Sequence, residues 1–420
     1  MIKLFKQNKM FRVYLTYQFF SSIGGAMFSM FILLSVHLLY QNSLFTGIAG
    51  FLMAAPRIVS FAVGPVIDRR NKITIMRLTT FLEFLVLAFL AFTPLQEHLG
   101  VLFMFAVIFA YNIAALFESP AGIALLPHIV REDEIIEANS LINIIAMAGG
   151  IVIGAVLFTS LAGEVNFSFL YGFSAVFIAL AFIFSLFLKN NTMFPNKPVV
   201  KKGIKETKPS NYINDLKEGA KFIRRSILLI TTFAVVAMDF IGEIAYVNRP
   251  MFLEYHTGAQ GYVLFTLMML IGGVAASFLV GKLGNKYTIG KLIFMLFIFA
   301  GMLRVVFALV VPLNLIGALL TTIIYAAIII AIDIIFSSLN QKIPQKNIVG
   351  RVSTISTTLV AVSVALGALA GGFLGNIVSD AGHVFIYQGI GLAAIGIFVV
   401  FTPSVRKLPK MNEIGKVDSL

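Results

Sequence analysis

The chain has no cysteine. That excludes a disulfide framework and any thiolate metal site. Its five histidines, His37, His98, His128, His256 and His383, stand apart and form no His–carboxylate cluster with metal-ligand spacing. No Walker-type glycine–lysine loop is present, so ATP is not the expected drive. No nucleophile–base constellation is visible, which makes a membrane enzyme the weakest of the function classes. Charge is scarce as well. Asp, Glu, Lys and Arg make up 12% of the chain, where a soluble domain carries about 25%.

What the chain has is apolar surface. Hydrophobic residues are 59% of the 420, and mean hydropathy is +0.95. Such a chain cannot cover a surface that faces water, so it reads as a polytopic membrane protein. Crossing the hydrocarbon takes about 20 apolar residues. Spans are expected near 13–38, 43–66, 73–94, 100–125, 139–161, 166–188, 227–248, 258–281, 288–311, 313–336, 352–377 and 382–403. In lipid the backbone must bond to itself, so these are helices. The N-terminus is basic and then apolar, like a secretory signal. Its apolar run is too long and lacks a small-residue cleavage site, so it reads as a first, uncleaved span.

Net charge is +13. In a soluble protein that would raise nucleic acid as a partner. Here all the Lys and Arg except Arg57, Arg249 and Arg304 gather at the N-terminus, around the even-to-odd connections and in the C-terminal tail. This is positive-inside bias: both termini cytoplasmic, no nucleic acid. The connection Lys189–Arg225 carries ten Lys and Arg and divides the spans six and six. Within it Ile213, Leu216, Ala220 and Ile223 share a helical face, as in a helix lying on an anionic leaflet. The expected organisation is an N-terminal six-helix bundle at 1–188, a cytoplasmic linker with an amphipathic helix at 189–226, a C-terminal six-helix bundle at 227–403 and a tail at 404–420. The halves carry a trace of repetition: Asn71-Lys-Ile-Thr-Ile opens the third span and Asn285-Lys-Tyr-Thr-Ile the ninth.

The stretch Gly64-x-x-x-Asp68-Arg69-x-Asn71-Lys72 joins spans two and three. With the span count it resembles the major facilitator superfamily, and within that the macrolide-efflux type of proton-coupled drug exporter. Further likeness lies in Pro120 and Pro127-His-Ile-Val-Arg131, in Asp215-Leu-Lys-Glu218-Gly219, and in Val349-Gly350-Arg351-Val-Ser. The resemblance implies an all-α fold of twelve transmembrane helices in two six-helix bundles. It also implies a cytoplasmic gate at Gly64, Asp68, Arg69, Lys72, Arg131 and Arg351. Physics agrees: Gly64 permits close approach of a neighbouring helix, and Asp68 suits a helix N-terminus or a basic partner. The second copy, Gly284-Asn285-Lys286, lacks the acid, so the gate is expected to be asymmetric.

Charges inside spans cost about 2.5–3.5 kcal/mol each on insertion scales, so each needs a partner, water or a proton. The inventory is Arg57, Glu83, Glu118, Asp239, Glu243, Arg304 and Asp333. The family fold lines its cavity with spans one, four, seven and ten, which hold Glu118, Asp239, Glu243 and Asp333. Asp239 and Glu243, four apart, share one helix face. Two carboxylates so placed cannot both ionise cheaply, which suits a proton carrier. Arg57 is a candidate partner for one of the acids, while Glu83 and Arg304 lie on spans the family places peripherally and read as structural. Where many proton-coupled relatives keep an arginine in span four, this chain has Tyr111. Gly150 and Gly154 in span five, and Gly371 and Gly375 in span eleven, have the small-xxx-small spacing of close helix packing. Phe19, Phe20, Phe28 and Phe31, with Gln18, Ser21 and Ser22, are candidates for lining an apolar pocket.

The expected protein is a monomeric multi-pass transporter of the plasma membrane. It exports amphipathic or lipophilic small molecules by proton antiport and alternating access, with no cofactor beyond the proton gradient. Two rivals remain: an exporter of a specific endogenous metabolite, siderophore or lipid, and a non-transporting membrane receptor or scaffold.

Overall fold

The computed structural model describes residues 8–60, 63, 66–67, 70–93, 100–131, 134, 138–139, 141–146, 148–150, 153, 166–189, 220–344, 349–378, 380–410 and 413, with only the backbone at 277–285, 341 and 349–350. The described chain is helical: α1 Lys9–Tyr40, α2 Ser43–Ile58, α3 Lys72–Phe92, α4 Val101–Ile129, α5 Phe167–Leu186, α6 Leu228–Lys286, α7 Ile289–Val310, α8 Leu315–Lys342, α9 Val349–Ile377, α10 Gly382–Phe401 and the single turn α11 Pro403–Arg406. Among the described residues nine helices are long and apolar enough to cross a membrane. Large apolar side chains such as Phe92, Leu102, Phe233 and Phe373 face outward, as lipid-facing surface requires.

Asparagine sets several helix starts. The side chains of Asn8, Asn71, Asn166 and Asn314 accept from the backbone N–H of Phe11, of Ile73 and Thr74, of Phe169 and of Gly317. Each satisfies donors that the first turn leaves open. This gives Asn71 a local reason: it caps α3. In the second copy of the repeat the cap has moved to Thr288, which makes no side-chain bond to its helix. The far end of α5 is closed by a cation. Arg77 donates from Nε to Ser185 O at 3.1 Å and from Nη2 to Leu186 O at 3.2 Å and Leu188 O at 2.7 Å, filling carbonyls the last turn leaves free.

The spans expected at 227–248 and 258–281 are joined differently from the anticipated loop. Helix continues through Arg249, Pro250 and Thr257, and breaks only at Gly258, with φ 69° and ψ 177°. A side chain would strain that conformation, so one glycine makes the joint. The expected second span is a shorter helix, α2. Most of the fifth expected span falls outside the described residues.

Two compact units emerge. One comprises Met1–Gln41 and Leu52–Ile204, the other Asn42–Phe51 and Lys205–Leu420. The first has a core around Phe11, Tyr14, Tyr17, Met76, Leu125 and Leu126. The second is built around Leu228, Ile293, Phe297, Ile332, Leu339 and Leu392. Within the second unit α2 begins against α9: a Cβ on Gly47 would stand 2.5 Å from Gly372 Cα, and one on Gly372 2.7 Å from Gly47 Cα. Only paired glycines allow that approach.

Candidate functional site

In the first unit, three helices turn polar groups toward one point. On α1, Tyr14, Tyr17 and Ser21 recur every three to four residues and so share a face. On α3 the buried stripe Met76, Thr79, Thr80, Glu83 and Leu87 does the same. On α4, Tyr111, Ala114, Glu118 and Ala121 follow that spacing. At the centre is Glu118. Its Oε1 accepts from Tyr17 Oη and, at 2.6 Å, from Ser21 Oγ. Tyr17 Oη also lies 3.0 Å from Thr80 Oγ1. The Thr80 hydroxyl in turn donates to Met76 O at 2.7 Å.

Glu83 completes the group. It is 1% exposed, its carboxyl stands within electrostatic reach of that of Glu118, and its Oε1 has no hydrogen-bond partner. Tyr14 lies within electrostatic reach of Glu118, and Tyr111 of both acids. Gly122 makes room for the Tyr14 hydroxyl, which would lie 2.7 Å from a Cβ there. Tyr111 is the departure from the span-four arginine that the resemblance implies for many relatives. The phenol is buried and stacks on Phe28 at 3.8 Å between ring centroids. Phe28 and Phe31 are each 1% exposed. They pack the interior of the unit and do not line an open pocket as the sequence suggested.

In the second unit the acids are dressed more sparsely. Asp239 on α6 and Asp333 on α8 are half-buried and within electrostatic reach of one another. Glu243, one turn beyond Asp239, sets its Cβ 3.0 Å from the position a Gly367 side chain would take on α9. Gly371 and Gly375 follow on the same helix. A Cβ on Gly371 would lie 2.7 Å from Ile244 O, and one on Gly375 would collide with Asn248 Oδ1. Asn248 Nδ2 donates to Gly371 O at 2.7 Å. Gly150 is buried.

Arg304 on α7 is 5% exposed. Its guanidinium carbon stands 3.8 Å above the Tyr325 ring, 5.1 Å from Phe307 and 5.4 Å from Phe385. The Tyr325 hydroxyl in turn accepts from Gln388 Nε2 at 3.1 Å. The cation is met by aromatic faces, an arrangement worth about 0.5–2 kcal/mol per contact.

The remaining sequence candidates are more peripheral. Arg57 is exposed in the last turn of α2, where a cation complements the helix dipole. Lys72 opens α3, Arg351 lies in the first turn of α9, and Arg131 follows α4, its N–H donating to Glu134 Oε2 at 3.1 Å. Gly64, Asp68, Arg69 and Gly154 lie outside the described residues. Sequence reasoning found Glu118 and named Ser21 only for an apolar pocket; it missed Glu83 as the neighbour of Glu118 and the hydroxyls of Tyr17 and Thr80. A signal was present. Glu83 falls on the Met76–Thr80–Leu87 stripe that α3 buries, where an acid needs a polar partner.

The arrangement can do simple chemistry. Two carboxyl groups this near cannot both ionise cheaply, so the pair keeps one proton. Removing it sets two like charges side by side, with Tyr17 and Ser21 left to stabilise the anion. Such a group exchanges a proton and holds its geometry.

A family model described as Major Facilitator Superfamily matches residues 15–368. Among curated proteins, "Putative bacilysin exporter BacE" of Bacillus subtilis (strain 168) is 23% identical over 326 residues, which cover 75% of this chain and 76% of that one. The protein of the same name from Bacillus amyloliquefaciens matches equally. Among solved structures, the peptide transporter POT in complex with sulfate superposes with a TM-score of 0.72 at 14% identity, covering 96% of each chain. The nucleoside transporter NupG superposes at 0.70 and 14%, covering 94% of this chain and 99% of that one. At these identities the structures speak for the fold alone.

Proposed function

The chain belongs to the Major Facilitator Superfamily, and on that premise we propose that it exports small amphipathic molecules in exchange for protons, by alternating access. It is a multi-pass membrane transporter and not an enzyme, which sets aside the receptor reading. The direction of transport takes its support from the relative named as an exporter.

The observation that carries the proton reading is the placing of Glu83 beside Glu118, with Tyr17, Ser21 and Thr80 around them. An acid inside a span is costly and marks a pathway or relay. Two side by side, with donors arranged around one of them, make a site for one exchangeable proton. In the second unit, Asp239, Glu243 and Asp333 supply negative charge for a cationic or polar end of the cargo and for coupling. The resemblance assigns Gly64, Asp68, Arg69, Lys72, Arg131 and Arg351 to the cytoplasmic gate. The protein sits as a monomer in the plasma membrane with both termini in the cytoplasm.

The cycle follows. Facing the cytoplasm, the carboxyl pair gives up its proton and cargo enters. Facing outside, a proton returns and the cargo leaves. A second reading keeps the mechanism and narrows the cargo to one endogenous compound. The named relative favours it.

The test is purified protein in liposomes with an imposed pH gradient and a panel of amphipathic compounds. The reading expects cargo flux that follows the proton gradient and stops when a protonophore collapses it. Flux indifferent to the gradient overturns the proton coupling.

A further inference from the structure

The second unit holds a cavity that transport chemistry does not use. It lies where the chain enters α6, has a volume of about 510 Å³, and is lined by Arg224, Arg225, Ser226, Leu229, Ser404 and Lys407 among others. Three cations and two hydroxyls meet there, and among the described residues no acid lines it. Its size is within the range of ordinary small-ligand sites.

The cations do not come from one loose run. Arg224 and Arg225 precede α6, and Lys407 follows α11. Both segments are anchored. Ile223 and Ile227 on one side, and Val405 and Leu408 on the other, are buried in a single hydrophobic cluster. The Ile289 N–H donates to Pro409 O at 3.1 Å, tying the tail to the start of α7. A Cβ on Gly290 would stand 2.3 Å from Val405 O, so the tail packs tightly against α7. The three basic side chains are exposed, but they stand on anchored backbone and border the same cavity. The N-terminal end of α6 adds its partial positive charge in the same direction.

The cavity has an apolar continuation. Leu229 lies in its wall, and one turn along α6 is Phe233, whose ring meets Phe398 of α10 edge-on at 5.8 Å. All three side chains are outward-facing and exposed. A cationic cradle above an outward apolar strip fits a ligand with an anionic head and a hydrocarbon tail.

We propose that this cavity binds the phosphate headgroup of an anionic phospholipid, with the acyl chains lying along Leu229, Phe233 and Phe398. By the positive-inside expectation the lipid belongs to the cytoplasmic leaflet. Bound there, it bridges the segment entering the second unit and the C-terminal tail. The site is independent of the transport reading: it stands whether or not protons drive export.

The test uses the full chain in detergent, examined by native mass spectrometry while phosphatidylglycerol or phosphatidylcholine is titrated in. The expected result is one phosphatidylglycerol retained at activation that strips phosphatidylcholine. In a variant carrying Arg224→Gln, Arg225→Gln and Lys407→Gln, retention weakens at least about tenfold. A control carrying Arg70→Gln, Lys189→Gln and Lys291→Gln keeps it. A third arm adds inorganic phosphate. Displacement of the lipid at equimolar phosphate overturns the lipid assignment and leaves a phosphate site. Equal retention of both lipids by the wild type, or equal loss in the two variants, overturns the site itself. If the cavity variant does not fold, the wild-type comparison of the two lipids decides.

Discussion

The two units bury charge in opposite ways. In the first, Glu118, with Glu83 beside it, is met by hydroxyl groups: Tyr17 and Ser21 donate to Glu118, and Thr80 stands behind Tyr17. In the second, Arg304 is met by the faces of Tyr325, Phe307 and Phe385, while Asp239 and Asp333, half-buried like Glu118, lie within electrostatic reach of one another. Hydroxyl donors stabilise a carboxylate and stay in place when it is protonated, so the charge can come and go. Aromatic faces stabilise a cation that never leaves, because a guanidinium does not deprotonate in proteins. The first arrangement is suited to exchange, the second to support.

That contrast can be broken by exchanging acids for their amides. Glu118→Gln and Glu83→Gln each remove the shared proton and preserve shape. Gradient-driven flux in liposomes is expected to fall by about tenfold or more in both. Asp239→Asn and Asp333→Asn are expected to weaken cargo binding and to leave proton movement in place. Reversal of this pattern would move the proton site to the second unit.

Arg304 sharpens the other side. Arg304→Lys keeps the charge but loses the planar group that stacks on Tyr325. About 1–2 kcal/mol of stability should go with it, read as a lowered unfolding temperature in detergent, with proton coupling retained in the folded fraction. An unchanged unfolding temperature would mean the aromatic faces do not hold the cation.

Smaller effects are expected from single donors. Tyr17→Phe removes one of the two hydroxyls on Glu118 at a cost of about 1 kcal/mol. Flux should fall severalfold, less than for Glu118→Gln. A loss equal to that of Glu118→Gln would make Tyr17 part of the proton path itself. Smallest of all, Asn71→Ala removes the cap of α3 and about 1 kcal/mol of stability, with little change in flux per folded molecule. A loss of coupling there would draw the start of α3 into the gate.

Much of the fold was legible because the bilayer leaves the backbone few choices. Apolar runs of sufficient length became helices, and α1, α3, α4, α5 and α7–α10 fall close to the expected spans. The joint at Gly258 was misplaced. A connection was expected at 249–257, yet α6 runs through it to Gly258. Of the site, the family resemblance placed Glu118 on a span that lines the cavity. It did not show which helix lies opposite, so Glu83 passed for a peripheral structural acid. Tyr17 escaped notice because a tyrosine in an apolar run is unremarkable until its hydroxyl is found on a carboxylate. Sidedness was drawn from loop charge, and the loop with Gly64, Asp68 and Arg69 lies outside the described residues.

The central claim is that Glu83 and Glu118 together hold one proton that leaves when cargo binds. The direct measurement is proton release on adding a transported compound to purified protein in weakly buffered detergent, followed with a pH dye. The account predicts release from the wild type and from Asp239→Asn, and none from Glu118→Gln or Glu83→Gln. Release of equal size from all four proteins would contradict it.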